Sequence, residues 1–360
     1  MRLALELAEE YRGFTSPNPM VGAIVVKDNR IIGKGAHCRA GEAHAEVVAL
    51  QQAGKLAQDA TLYVTLEPCN HFGKTPPCTD LIIASGISKV VCAMKDPNPL
   101  VCGSGFEKLR KAGIEVVENV LKKEAEQLNE IFIKNVTEKQ PFVILKSAIT
   151  LDGKIASPTN DSKWISNNKS RLEVHKIRNS VDGIIIGKNT FLIDNPRLNV
   201  RLDSPTSDPQ KIIIVDSLDL KLETILNSNA YKLSSQKPLI ICVTDNHSQH
   251  IESSDFINHN IILLKFEKNN LKELLQKLMK LGINSILLEG GAGIYTSFIK
   301  ANLVDKIQLF VAPKIIGDQG ISWLGNLPID YMKDAIQLKD TSFETLDDNI
   351  MITSYQNKRN

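Results

Sequence analysis

Glu67 to Cys78, EPCNHFGKTPPC, decides how the first half of this chain is read. Each of its two cysteines follows a proline, and nine positions separate them. The run ATLYVTLE (60–67) ahead of it has the β-branched and aromatic residues of a strand. The run TDLIIASGI (79–87) behind it has helical apolar spacing. Both thiols therefore fall where a strand hands over to a helix.

Upstream, residues 18–54 (NPMVGAIVVKDNRIIGKGAHCRAGEAHAEVVALQQAG) read as two strands joined by a KDNR turn and a helix starting near Glu42. That helix carries His44-Ala45-Glu46. Downstream, KVVCAMK (89–95) is a strand, GSGFEKLRKAGI (103–114) a helix, EVVENV (115–120) a short strand and KKEAEQLNEIFIKNV (122–136) a single helix. TEKQP (137–141) is a polar break ending in proline, which places a domain boundary between 1–140 and 141–360.

A second α/β series follows. Strands are expected at 142–149, 182–187, 211–216, 238–244, 260–266, 283–291 and 305–317, and helices at 168–180, 271–282 and 292–302. The polar stretches 217–236 and 245–259 read as loop-rich. Strands alternating with helices imply open α/β sheets in both halves.

Composition narrows the function classes. A chain of 360 residues suits about two domains. Hydrophobic residues at 42% and charged residues at 23% are ordinary for a globular protein. A net charge of +2 gives no electrostatic reason to expect nucleic acid or an anionic membrane as a partner. No apolar run approaches the roughly 20 residues that span a bilayer. The N-terminal MRLALELAEEYRG reads as an amphipathic helix and not a signal peptide. Six cysteines without an export signal point to reduced thiols in the cytoplasm.

An imidazole and two thiolates can hold zinc tetrahedrally with one position left for water, the arrangement of a catalytic zinc. His44, Cys69 and Cys78 supply that set, and Glu46 is placed to move protons without ligating the metal. The histidine–x–glutamate, then proline–cysteine, then second cysteine order is that of nucleobase deaminases, although their cysteines are spaced C-x-x-C. The competing reading is a closed structural zinc with His71 as fourth ligand, which leaves Glu46 without a task. Cys38, Cys92, Cys102 and Cys242 read as ordinary thiols. In the second half, ILLEGGAGIYTSF ends a strand on glycines and opens a helix, as phosphate binding requires. Such a turn can equally be a plain connector, and no G-x-G-x-x-G fingerprint is present.

The stretches TSPNPMVGAIVV, HCRAGEAHAEVVAL, YVTLEPCNHFGKTPPCTDLII and DPNPLVCGSGFEKLRKAGI resemble the pyrimidine deaminase domain of the bifunctional riboflavin-biosynthesis deaminase/reductase family. The stretches LKSAITLDGKIA, SKWIS, VHKIRNSVDGIIIGKNTFLIDNPRLNVR, LLEGGAGIYTSFI and LVDKIQLFVAPKIIG resemble its reductase domain. The long cysteine spacing with GKTPPC separates this family from cytidine deaminases and from tRNA deaminases. The resemblance implies a cytidine-deaminase-like αβα sandwich followed by a dihydrofolate-reductase-like α/β domain. It also implies one zinc per chain, NADPH as cofactor, a phosphorylated pyrimidine substrate and association through the reductase domain. By resemblance, Glu46 is the catalytic acid–base and His44, Cys69 and Cys78 hold zinc. Asn18, His71 and Lys74 shape the deaminase pocket, with Lys74 equally readable as a solvated loop lysine. Ala148, Trp164, Thr190, Asp194, Ser217 and the run Gly291, Ala292, Gly293, Ile294, Tyr295, Thr296, Ser297 line the cofactor site. Ser162, Arg178, Leu198, Arg201 and Glu289 meet the substrate. The chain begins close to its first helix, which leads us to expect a frayed first turn there.

Overall fold

The computed structural model describes residues 1–72, 76–99, 101–203, 207–215, 220–234, 237–244 and 253–357. Contacts between residues divide the chain into two units, Met1–Lys139 and Gln140–Asn360.

The first unit runs α1 (Arg2–Glu9), β1 (Gly22–Lys27), β2 (Arg30–Ala36), α2 (Ala45–Ala53), β3 (Thr61–Leu66), α3 (Cys78–Ala84), β4 (Lys89–Met94), α4 (Ser104–Lys111), β5 (Glu115–Val117), α5 (Lys122–Leu128) and α6 (Glu130–Glu138). Its sheet has the order β2-β1-β3-β4-β5. Strand β1 is antiparallel to β2 and β3, while β3, β4 and β5 are parallel. Asp28 and Asn29 close the β1–β2 hairpin with φ of 48° and 58°. Both central residues thus sit in the left-handed region that the right-handed twist of the strands favours in a two-residue turn.

Glycines set how closely helices approach this sheet. Gly22 pairs with Ala36, and Ala23 with Gly35, so Gly22 and Gly35 point to opposite faces. A Cβ on Gly22 would collide with the Ala4 carbonyl of α1, and one on Gly35 with the Ala45 carbonyl of α2. The two helices therefore cover opposite faces, which makes a three-layer sandwich. Between the layers lie Val25, Leu62, Val64, Ile82, Val90 and Leu109, all buried.

Three local expectations change. Helix α2 starts at Ala45, not near Glu42, because residues 39–42 form a turn (Glu42 N–H to Arg39 O, 3.0 Å) and His44 is extended as the N-cap. The single helix expected over 122–136 is two helices. Asn129 leaves helical geometry at φ −103° and bonds both polar groups of the Met20 backbone, at 2.8 and 3.0 Å. The first turn of α1 is not frayed, since Ala4 and Ala8 are fully buried.

The second unit contains β6 (Phe142–Thr150), β7 (Lys154–Ala156), α7 (Asn168–Asn179), β8 (Gly183–Gly187), α8 (Lys188–Asp194), β9 (Gln210–Val215), α9 (Leu222–Asn227), α10 (Asn229–Lys232), β10 (Leu239–Thr244), α11 (Ser253–Asn258), β11 (Ile261–Phe266), α12 (Leu271–Lys280), β12 (Ser285–Leu288), α13 (Ala292–Lys300), β13 (Lys306–Ala312), β14 (Ile321–Ser322), β15 (Leu338–Leu346) and β16 (Asn349–Gln356). Its large sheet is ordered β11-β10-β9-β8-β12-β6-β13-β16-β15. The strands from β11 to β13 are parallel, and β16 and β15 add an antiparallel edge. Continuous apolar strands suit a parallel sheet covered on both faces, and all six residues of β10 are buried. The stretch 217–236, expected as loop, contains α9 and α10, the second capped by the Ser228 side chain on Tyr231 N–H. Hairpin β15–β16 lies where the sequence suggests no element. Eight of the nine β15 residues are exposed, so its sequence carries no inward-facing apolar row. No helix among the described residues is long and apolar enough to cross a membrane.

The glycine contact generates a prediction. Gly35→Ala forces α2 away from the sheet at the turn that carries His44 and Glu46. It should destabilise the first unit by about 2 kcal/mol or more. Urea unfolding followed by far-UV circular dichroism measures this, and an unchanged midpoint would refute the close-contact account.

Candidate active sites

The fold of the first unit brings His44, Cys69 and Cys78 together from three elements. His44 caps α2, Cys69 follows the end of β3, and Cys78 opens α3. Their donor atoms all lie within 4.8 Å of one another, and they form the one such converging group among the described residues. His44 Nδ1 is 3.2 Å from Cys78 Sγ and 3.6 Å from Cys69 Sγ. A tetrahedral zinc with bonds of about 2.3 Å to sulfur and about 2.0 Å to nitrogen sets these atoms about 3.5 Å apart. The donor set and its spacing therefore fit zinc.

Electrostatics agree with that use. The hydrogen bond from Cys78 pulls the Cys69 thiol down to about 4, so one sulfur is held as thiolate, and the same bond pushes Cys78 up. The Cys69 interaction raises His44. Glu46 is 4% exposed, and burial raises its carboxyl above the usual range. His71 is exposed and lies outside the cluster, so it does not complete a four-ligand site. Lys74 lies outside the described residues.

Two supports escape sequence reading. His37, at the end of β2, is buried and donates Nδ1–H to Ala43 O at 3.1 Å, while Nε2 accepts from Asn18 Nδ2 at 3.0 Å. Asn18 is thereby fixed on the side of the sheet edge that carries His44, whose ring stands edge-on to His37 at 5.8 Å. The buried Glu67 accepts backbone N–H groups of Asp96, Gly103 and Gly105 at 3.2, 2.9 and 3.0 Å. It anchors the β4–α4 loop beside the Pro68-Cys69 turn. Proximity to the motif was the available signal for Glu67. None distinguished His37 from an ordinary core histidine.

The second unit holds a cavity of about 1230 Å³ at the C-terminal ends of its parallel strands. Of the expected cofactor residues, Ala148, Trp164, Thr190, Asp194, Gly291, Ala292, Gly293, Ile294, Tyr295 and Ser297 line it. Ser162, Arg178, Leu198, Arg201 and Glu289 line it as well. Thr296 does not: it is buried, its Oγ1 donating to Ala292 O and accepting Gly325 N–H. Ser217 lies outside the described residues.

The glycine turn separates structural from open positions. A Cβ at Gly290 would collide with Ile294, so that glycine serves packing. At Gly291 a Cβ would meet only Thr190 Oγ1 at 3.7 Å, and at Gly293 nothing within 4 Å. Gly291 has φ −81°, which any residue adopts. Neither glycine is held by a close packing contact or a left-handed φ, and both leave backbone bare where helix α13 begins. This open cradle fits the pyrophosphate of a dinucleotide.

Beside it lies a buried ion network. Arg178 grips the Glu289 carboxylate with Nε and Nη2 at 2.7 and 2.8 Å and sends Nη1 to Asn199 O at 3.1 Å. Lys146 Nζ stands 3.9 Å from Glu289. Burial alone would raise the Glu289 carboxyl, but Arg178 and Lys146 outweigh it and hold it at about 2. Burial lowers Lys146. Sequence reading missed Lys146, although a lysine inside the apolar run FVILKSAI was a usable signal. It also passed over His175, which lines the cavity one turn before Arg178.

Both units resemble known proteins. The cytidine and deoxycytidylate deaminase zinc-binding region matches residues 1–94, and the RibD C-terminal domain matches residues 141–352. Riboflavin biosynthesis protein RibD of Aquifex aeolicus is 44% identical over 352 residues, covering 98% of this chain and 96% of the relative. Its counterpart in Escherichia coli is 37% identical over 348 residues, covering 94% of each. The solved structure of Acinetobacter baumannii RibD superposes with a TM-score of 0.88 at 34% identity, covering 99% of this chain and 97% of that one. A diaminohydroxyphosphoribosylaminopyrimidine deaminase/5-amino-6-(5-phosphoribosylamino)uracil reductase from Thermotoga maritima superposes at 0.84 with 36% identity and the same coverage. The fold is thus a cytidine-deaminase-like sandwich followed by a dihydrofolate-reductase-like domain. The chain belongs to the RibD family and is a bifunctional enzyme of riboflavin biosynthesis, a zinc-dependent deaminase and an NADPH-dependent reductase in one polypeptide.

Proposed function

We propose that residues 1–140 carry the deaminase and residues 141–360 the reductase, with the residue roles set out below. The reactions follow from the family. Hydrolysis removes the 2-amino group of 2,5-diamino-6-(5-phosphoribosylamino)pyrimidin-4(3H)-one, giving 5-amino-6-(5-phosphoribosylamino)uracil and ammonia. Reduction of the ribosyl group then gives 5-amino-6-(5-phosphoribitylamino)uracil. The observation that carries the residue assignment is the convergence of one imidazole and two thiols beside a buried glutamate.

In the first half, His44, Cys69 and Cys78 hold zinc, which when bound brings the pKa of a water down to about 7. Glu46 carries protons to the ring nitrogen next to C2 and then to the departing amino nitrogen, work worth roughly 10²–10⁴ in rate. Asn18, fixed by His37, His71 and Lys74 border the pyrimidine. In the second half NADPH, when bound, would supply the hydride that reduces C1′ of the ribose. The backbone of 291–297 and the side chains of Ile294 and Ser297, with Ala148, Trp164, Thr190, Asp194 and Ser217, hold that cofactor, while the Thr296 side chain turns inward. Ser162, Leu198, Arg201 and Glu289 meet the substrate, and Arg178 acts chiefly by orienting Glu289, on which it spends its fork. Arg201 is then the cation that meets the substrate phosphate. Six free cysteines agree with a cytoplasmic enzyme, and the family resemblance supports self-association through the reductase half.

Glu46→Gln should retain close to one zinc per chain and lose at least a hundredfold in ammonia release, while Cys69→Ser should lose the metal. Atomic absorption and an ammonia assay measure both. Full deamination by Glu46→Gln, or undiminished zinc in Cys69→Ser, would overturn the assignment.

Gly291→Val places a side chain in the cradle, where its Cβ would meet only Thr190 Oγ1, at 3.7 Å. It should melt as wild type does yet bind NADPH at least tenfold more weakly, about 1.4 kcal/mol. Fluorescence titration with NADPH reads this. Normal affinity in the folded variant would make the turn a connector.

Residues 1–140 and 141–360, expressed apart, should each fold and keep one activity. Light scattering should find the second half at twice its monomer mass or more. A reductase half that stays monomeric, or halves that are inactive when folded, would contradict the division.

A further inference from the structure

Helix α7 places His175 three residues before Arg178, at the substrate end of the cavity. The ring is 9% exposed. Its Nδ1 is 3.3 Å from the backbone N of Arg201. That N–H can only donate, so Nδ1 is the acceptor and a neutral ring carries its proton on Nε2. Burial, Arg178 and Arg201 together lower the histidine to about 4, so the ring is neutral at physiological pH.

The Nε2–H is the unspent group. Among the described residues His175 makes no second hydrogen bond, and Gln356 Oε1 is the one fully buried side-chain polar atom left without a partner. Nε2 is therefore not sealed in the core. His175 lines the cavity with Arg178, Arg201 and Glu289, which gives this N–H a route to a bound ligand. The surroundings favour an anion. From β6, α7 and the segment after α8, Lys146, Arg178 and Arg201 outnumber the carboxylates of Glu289 and Asp208. Arg178 is already committed to Glu289, while Arg201 has one side-chain bond, Nη1 to Asn199 Oδ1 at 2.8 Å.

We propose that His175 seats the phosphate of the reductase substrate, holding the Arg201 backbone at Nδ1 and donating Nε2–H to a phosphate oxygen beside the Arg201 guanidinium. This rests on the assignment of Arg201 to the substrate phosphate made above. A neutral donor adds a hydrogen bond to the anion without adding a fourth cation beside Lys146, Arg178 and Arg201. The Nδ1 bond also fixes the backbone from which Arg201 projects, so one ring serves both partners of the phosphate.

The test uses full-length protein, the deaminated substrate and inorganic phosphate as competitive inhibitor of the reductase. His175→Ala should raise KM at least tenfold and the phosphate inhibition constant at least fivefold, with kcat falling less than threefold. His175→Gln keeps an acceptor for the Arg201 N–H and a donor for phosphate, and should restore both constants to within threefold of wild type. NADPH titration and thermal melting establish that the variants are folded. If His175→Ala unfolds, His175→Met fills the space without a donor and should show the same loss. Phosphate inhibition weakened in Arg201→Ala but unchanged in folded His175→Ala or His175→Met would refute the role of His175 and leave the phosphate site standing. Inhibition unchanged in both would show that the phosphate binds elsewhere, and the inference would fall with that assignment.

Discussion

Parallel pairing is the constraint on which both halves depend. When strands run in the same direction, all their C-terminal ends emerge on one edge of the sheet, and each must turn into a helix there. In the first unit β3 and β4 deliver Cys69 and the Asp96–Gly105 loop to that edge, and α3 presents Cys78 beside them. In the second unit β6, β8 and β12 deliver Lys146, Lys188 and Glu289 to one cavity. Helix N-termini meet these edges with free backbone amides, so polar chemistry gathers there without burying unpaired groups.

Polar groups at the two sites are stabilised in different ways. Around zinc's donor set, the backbone does most of the work. Glu67 spends its carboxylate on three amides and so pins a loop, and His37 links Asn18 to the Ala43 carbonyl. In the reductase cavity the work falls to charge. A carboxylate buried with Arg178 and Lys146 costs several kcal/mol in desolvation per ion unless the geometry is good, and the two-pronged Arg178 contact supplies it. Such a network adds little to stability. It fixes the position of Glu289 in the wall of the cavity.

Much of this was legible in the chain. Apolar runs of six or so residues gave away the parallel strands, because a strand such as β10 is buried on both faces and needs no alternation. The C-x8-C spacing and the H-A-E triplet announced the metal chemistry, since few other tasks call for those residue types together. What stayed hidden had physical reasons. Strand β15 is exposed on eight of nine positions, so its pattern carries no inside face. The helix expected over 122–136 has unbroken periodicity, and only the distant Met20 backbone draws Asn129 out of it. Glycines 290, 291 and 293 look alike in sequence, yet one packs against Ile294 and the others face open space.

By itself, the sequence determined the two-part α/β organisation, the zinc-type donor set and the glycine turn, because local periodicity and residue chemistry are written in short windows. Only the tertiary structure decided that α2 begins at Ala45 and not near Glu42, that Thr296 turns inward, and that Arg178 spends itself on Glu289. The same holds for His37, Glu67, Lys146 and His175. Each owes its role to partners that the tertiary fold brings within reach, from 19 residues away for His37 and Asn18 to 143 for Lys146 and Glu289.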